Sequence, residues 1–117
     1  MPIHQTAYFV VRDDALELCQ KAIREFVDYV RENEPDTLLY TSLQGKEHST
    51  HFLHYFIFRD EQARELHANS DAVNHFTSVL YPNLIMGSFF LHFPFSFSPF
   101  PPLFLLSSSS LSSSSLP

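Results

Sequence analysis

Tryptophan is missing from the 117 residues, and the chain has one cysteine, Cys19, and two glycines, Gly45 and Gly87. A lone cysteine forms no internal disulfide. Its helical register with Leu16 and Ile23 marks it as a small buried hydrophobe, and a reducing compartment is expected. With so few glycines there is no glycine-rich phosphate loop, and neither CxxC, a haem-type CxxCH nor a nucleophile elbow occurs. Phosphoryl transfer, thiol redox chemistry and Ser-His-Asp hydrolysis are left without support. Positive charge is also scarce, with seven Lys plus Arg against thirteen Asp plus Glu and a formal net charge of −6. The basic residues are scattered between Arg12 and Arg64, so no stripe exists to neutralise phosphates and nucleic acid is not expected as a partner. Met1 to Thr6 carries neither a basic n-region nor an apolar h-region, and a cytoplasmic location is expected.

Apolar residues are plentiful, at 44% of the chain, with thirteen phenylalanines among them. Ile3 to Val11 reads as a strand, with Ile3, Ala7, Phe9 and Val11 on one face and His4, Thr6, Tyr8 and Val10 on the other. Asp14-Ala15-Leu16-Glu17 is a capping-box variant, opening a helix whose stripe is Leu16, Cys19, Ala22, Ile23, Phe26, Val27 and Val30. The charges between these positions form its solvated side, and Pro35 marks its end. Thr37 to Gln44 is a second strand, and the polar turn through Gly45 makes the apolar run Phe52 to Phe58 its antiparallel neighbour. Asp60 is placed to cap a helix carrying Ala63, Leu66 and His67. Asn69-Ser70-Asp71 re-caps the chain into another helix with Ala72, Val73, Phe76, Val79 and Leu80 inward, closed by Pro82.

This order predicts an α+β fold, a ferredoxin-like β-α-β-β-α-α(-β) unit with an antiparallel sheet and its helices on one face. The second sheet face is semi-apolar on all three strands and would be bare in a monomer. Pairing two such faces about a two-fold axis covers both, so a homodimer is expected.

Residues 1–86 are read as this domain and residues 87–117 as a tail. Every residue from Ser88 to Pro117 except His92 is Ser, Phe, Leu or Pro, and every charged residue lies before Ala72. The prolines from Pro94 to Pro102 argue against a regular helix or central strand, so no membrane association is expected, and Ser107 to Ser115 is expected to be disordered. The fourth strand is therefore expected to be replaced by the low-complexity tail. Ser, Phe, Leu and Pro are also what translation of a pyrimidine-rich non-coding tract would yield. A truncated, non-functional product stays open beside a genuine tail.

His48, His51 and His54 are three apart, yet on a strand such residues point to alternate faces, and no metal site is expected. His54 and His67 each interrupt an apolar face and are the candidate proton-transfer residues. Their competing role is that of satisfied core histidines. Tyr8, Tyr40 and Tyr55 are candidates to hydrogen-bond a phenolic substrate, with simple packing as the competing role.

NEPDTLLY at Asn33 to Tyr40, FIFRDEQA at Phe56 to Ala63 and HANS at His67 to Ser70 together resemble the antibiotic biosynthesis monooxygenase (ABM) family of the dimeric α+β barrel superfamily. The chain departs from the family pattern at Asp36, Phe56 and Ala72. The resemblance covers roughly Ile3 to Leu84. It implies a cofactor-independent, quinol monooxygenase-like activity, in which the anion of a small aromatic or quinol substrate itself reduces dioxygen. A non-catalytic dimeric domain that binds a small molecule or serves assembly is the alternative.

Overall fold

The computed structural model describes residues 1–92 and 109–111. Strand β1 (Ile3–Val10) leads through a 3-10 turn (Asp13–Ala15) into helix α1 (Leu16–Asn33). Strands β2 (Thr37–Gln44) and β3 (His51–Phe58) follow, then helices α2 (Glu61–Ala68) and α3 (Asp71–Leu80). Two three-residue strands, β4 (Phe90–His92) and β5 (Ser109–Leu111), complete an antiparallel sheet of order β4-β1-β3-β2-β5. The α+β, ferredoxin-like order predicted from periodicity is the one observed.

Register fixes which side chains meet. Gln5, Phe56 and Tyr40 lie in one row across the sheet, Ala7, His54 and Ser42 in the next, and Phe9, Phe52 and Gln44 in the third. Strand residues two apart share a face, so all three rows look the same way. They pack against the α1 stripe of Cys19, Ala22, Ile23, Phe26, Val27 and Val30 and against Ala63, Phe76 and Leu80. Phe26 and Phe76 stack with ring centroids 4.6 Å apart, tying α1 to α3. The opposite face carries Leu43, Leu53, Tyr55 and Ile57, half-buried, and Leu39, exposed.

Both caps in the second half form. Asp60 accepts the Ala63 amide at 2.9 Å, and Ser70 Oγ accepts the Val73 amide at 3.1 Å, each satisfying an amide that the first helical turn leaves unpaired. The capping box expected at Asp14 does not form, because that carboxylate accepts instead from Arg12 Nε at 3.1 Å. Arg12 is itself held by Pro82 O and Asn83 Oδ1.

The fourth strand, expected to be replaced by the tail, is built from the tail's first residues. Thr6, Ala7 and Tyr8 pair with His92, Leu91 and Phe90. The proline-free interval between Pro82 and Pro94 is long enough for one short strand. Ser88 Oγ anchors the approach by bonding Val10 N and O at 3.2 and 3.1 Å. Ser109–Leu111 pairs with the outer edge of β2, within the stretch expected to be disordered. The rest of that stretch lies outside the described residues. Among the described residues, no helix is long and apolar enough to cross a membrane.

Candidate active site

Between the sheet and helices α2 and α3 is a cavity of about 250 Å³. Its walls are mostly aromatic and aliphatic, including Phe9, Phe26, Phe56, Phe76, Leu80 and Phe89, and its polar groups come from Gln5, Tyr40, His54, His67 and Thr77. An engineered apolar cavity of about 150 Å³ holds benzene, so this one has space for an aromatic ring with substituents.

His54 sits in the middle row of the sheet, 1% exposed, where its neighbours Phe52 and Phe56 are buried Phe side chains. Its Nδ1 is 2.8 Å from Tyr40 Oη. Burial pushes the imidazole pKa down to about 3, so the ring is neutral. Burial first, and the Glu34 charge second, hold the Tyr40 phenol well above its ordinary value, so it keeps its proton. With His54 its one side-chain partner among the described residues, the hydroxyl has its hydrogen satisfied by donating to Nδ1. That assigns the remaining proton to Nε2, which is buried without a partner among the described residues. Nε2 is thus the nitrogen of this cavity-lining ring that is left to donate.

His67 is different. It comes from the inner face of α2, and its Nδ1 is 2.8 Å from Glu34 Oε1 in the turn after α1. Burial acts to raise the Glu34 pKa, but the hydrogen bond and charge of His67, together with the Thr37 hydroxyl, hold it below its ordinary value. An ionised carboxylate only accepts, so Nδ1 carries the hydrogen, and in the neutral ring Nε2 is the basic nitrogen. His67 also separates the cavity from a second hollow of about 290 Å³ lined by Asn33, Glu34, Asp36 and Ser70.

The structure thus brings together three of the five residues singled out in the sequence. Tyr40, His54 and His67 line one cavity. Tyr8 and Tyr55 belong to the opposite sheet face, where Tyr8 Oη is 2.7 Å from His51 Nδ1 and Tyr55 Oη is 2.5 Å from His4 Nδ1. His51 and His54 diverge in the same way, and among the described residues no group of three or more His, Cys, Asp or Glu gathers where it could hold a metal ion.

A family model described as antibiotic biosynthesis monooxygenase matches residues 2–78. The chain belongs to the ABM family. Solved structures repeat the fold. A Bacteriodes thetaiotaomicron VPI-5482 protein provisionally assigned as an antibiotic biosynthesis monooxygenase superposes with a TM-score of 0.74 at 17% identity, over 84% of this chain and 91% of its own. A further structure described as an antibiotic biosynthesis monooxygenase gives 0.73 at 16% identity over 82% and 99%. The protein SO0527 from Shewanella oneidensis gives 0.71 at 20% identity over 80% and 88%. No curated protein sequence matches. Within the ABM domain, the three signature pieces touch one another, Arg59 of FIFRDEQA pairing with Asp36 of NEPDTLLY at 3.0 Å. Glu34 of NEPDTLLY holds the ring of His67, and Ser70 of the HANS stretch donates to the His67 carbonyl at 2.9 Å.

Gln5 and Glu34 were not apparent as site residues in the sequence. Gln5 stands among apolar residues on the inward face of β1, a polar interruption of the kind that drew attention to His54. Glu34 follows a helix whose charges are solvated, and only its membership of the NEPDTLLY stretch sets it apart.

Proposed function

We propose that this chain is a monooxygenase of a small phenolic or quinol-type aromatic, with His67 as proton acceptor and His54 as donor to the developing phenolate. The observation that carries the reading is that two histidines with different partners, Tyr40 for His54 and Glu34 for His67, line one mostly apolar cavity. Glu34 fixes the His67 hydrogen on Nδ1, leaving Nε2 to take a proton, and Tyr40 fixes the His54 hydrogen on Nε2.

The chemistry follows from the substrate. Loss of the phenolic proton makes the ring electron-rich enough to reduce dioxygen without an added cofactor. One oxygen atom enters a new carbon–oxygen bond, and the other leaves as water with two hydrogens of the substrate. In an anthrone both come from the methylene carbon, which becomes a carbonyl. In a quinol they are the two hydroxyl hydrogens, and a ring C–H becomes C–OH as the ring becomes a hydroxyquinone. The protein supplies a base, a donor and an apolar enclosure in which the His67–Glu34 attraction is stronger than in water. The same reading includes a homodimer joined through the uncovered sheet faces.

The test is oxygen uptake with anthrone and with a hydroquinone, using protein freed of metal and flavin. Uptake above the uncatalysed background, reduced roughly a hundred- to ten-thousand-fold in His67→Ala, is the expected result. Uptake equal to background would sink the reading.

A further inference from the structure

Gln5 is a buried polar residue whose position is hard to explain by stability. It is 7% exposed on the inward face of β1, where Ala7 and Phe9 are apolar, and its Oε1 is buried without a hydrogen-bond partner among the described residues. Leaving such a group unsatisfied is costly, and an apolar side chain of the same shape would remove the cost. Yet Gln5 lines the same cavity as His54, whose Nε2 is also buried and unpartnered. Register puts the two in adjacent rows, since Ala7 pairs with His54 and Gln5 with Phe56. Diagonal neighbours of this kind are roughly 7–8 Å apart, within one substituted ring of each other.

The two orphans are complementary. His54 Nε2 is a donor, suited to a phenolate or phenol oxygen, and Gln5 Oε1 is an acceptor, suited to a hydroxyl. The rest of the wall is mostly apolar and aromatic, and among the described residues its polar groups, Tyr40, His67 and Thr77, bond neither atom. A monohydroxy aromatic occupies one of the two and leaves the other unpaired. An aromatic with two oxygen substituents engages both.

We infer that Gln5 is the specificity-determining residue of this cavity, reading a second oxygen substituent on the ring, so that dihydroxy aromatics are preferred over monophenols. This rests on the reading of the cavity as a phenolic-substrate site. The amide does not touch the proton being moved. Its role is discrimination.

The experiment measures binding, without oxygen, of phenol and of the three benzenediols to the full-length chain and to Gln5→Met, followed by chemical shifts of aromatic protein resonances. The expected result is at least one diol bound about ten- to a hundred-fold more tightly than phenol by the unmodified chain, the usual consequence of leaving a buried acceptor unpaired. In Gln5→Met that preference falls away, diol binding weakening relative to phenol binding. The ligand-free variant also unfolds at a higher temperature, because a buried unsatisfied group is gone. Equal binding of phenol and all diols by the unmodified chain overturns the role of Gln5 with the phenolic site intact, and needs no variant. A preference that survives Gln5→Met does the same. No binding of phenol or any diol overturns the phenolic site and this inference with it.

Discussion

His67 Nδ1 lies 2.8 Å from Glu34 Oε1, although 33 residues separate the two in sequence. Glu34 leaves α1 and His67 rides the inner face of α2, so this contact fastens two helical elements across the edge of the sheet. The carboxylate is nearly enclosed, with 15% of its side chain exposed, and its Oε2 has no partner among the described residues. A buried carboxylate is retained at a cost in desolvation, which favours a role in fixing the tautomer of the ring over one in stability alone.

Glu34→Gln tests that role. The amide has nearly the same shape but can donate to Nδ1, moving the ring hydrogen to Nε2 and removing the acceptor from the cavity. The expected outcome is a fall in turnover on the order of a hundred- to ten-thousand-fold, with phenol binding little changed. Equal loss in binding and turnover would instead mark Glu34 as a packing residue.

Much of this arrangement is legible in the sequence, and the part that is not has a physical cause. The period of 3.6 in α1 and the capping pairs at Asp60 and Ser70 each depend on a few adjacent residues, so the elements and their order can be read. His54 and His67 stand out because they interrupt apolar faces. Their division into donor and acceptor does not, since it depends on Tyr40 and Glu34, partners fixed only when the sheet register and the α1–β2 turn are formed. Tyr8 and Tyr55 look like Tyr40 in sequence, and only the pleat sends them to the other face. Strand β4 was obscured by the composition of the residues around it, because three residues of ladder need no strand-like pattern of their own.

The burial of His54 predicts a pH dependence of stability. Its pKa is about 3 in the folded chain and roughly 6.5 when unfolded, so between these values the unfolded state binds more protons. Stability is therefore full above about pH 6.5 and falls as pH is lowered, by at most about 1.4 kcal/mol per pH unit. Glu34, also lowered in the folded state, adds its own loss only below its ordinary range. Urea midpoints from pH 7 to about pH 5 should therefore decline in the unmodified chain and decline less in His54→Gln. Identical slopes would mean that His54 is not buried neutral.

The uncovered sheet face predicts assembly. Leu39, Leu43, Leu53, Tyr55 and Ile57 are half-buried or exposed on the face opposite the helices. A two-fold related copy would bring an identical apolar face onto this one, removing both from water. Sedimentation at micromolar concentration should give a dimer, and Leu53→Lys with Ile57→Lys should shift it to a monomer of unchanged helix content. A monomer from the unmodified chain would refute the pairing.

The last prediction concerns the tail's first residues. Phe89 packs on Phe9 with centroids 6.3 Å apart and edge-on to Tyr81 at 5.4 Å, and both Phe89 and Leu91 wall the cavity. Phe90 stacks on Tyr8 at 6.2 Å from the other side of the sheet. A chain ended after Gly87 loses these contacts, the Ser88 bonds to Val10 and the strand that pairs with β1. A chain ended after His92 keeps them. Burying a large apolar side chain is worth about 1.5–3 kcal/mol when complete, and Phe89 is only partly buried, so a loss of about 1–2 kcal/mol is expected from that residue, with the unpaired edge adding to it. The shorter chain should unfold at lower temperature and lose phenol binding through its opened cavity, while the chain ended after His92 should keep both properties. If the two unfold together and bind alike, β4 neither closes the cavity nor supports the sheet, and the domain is complete without it.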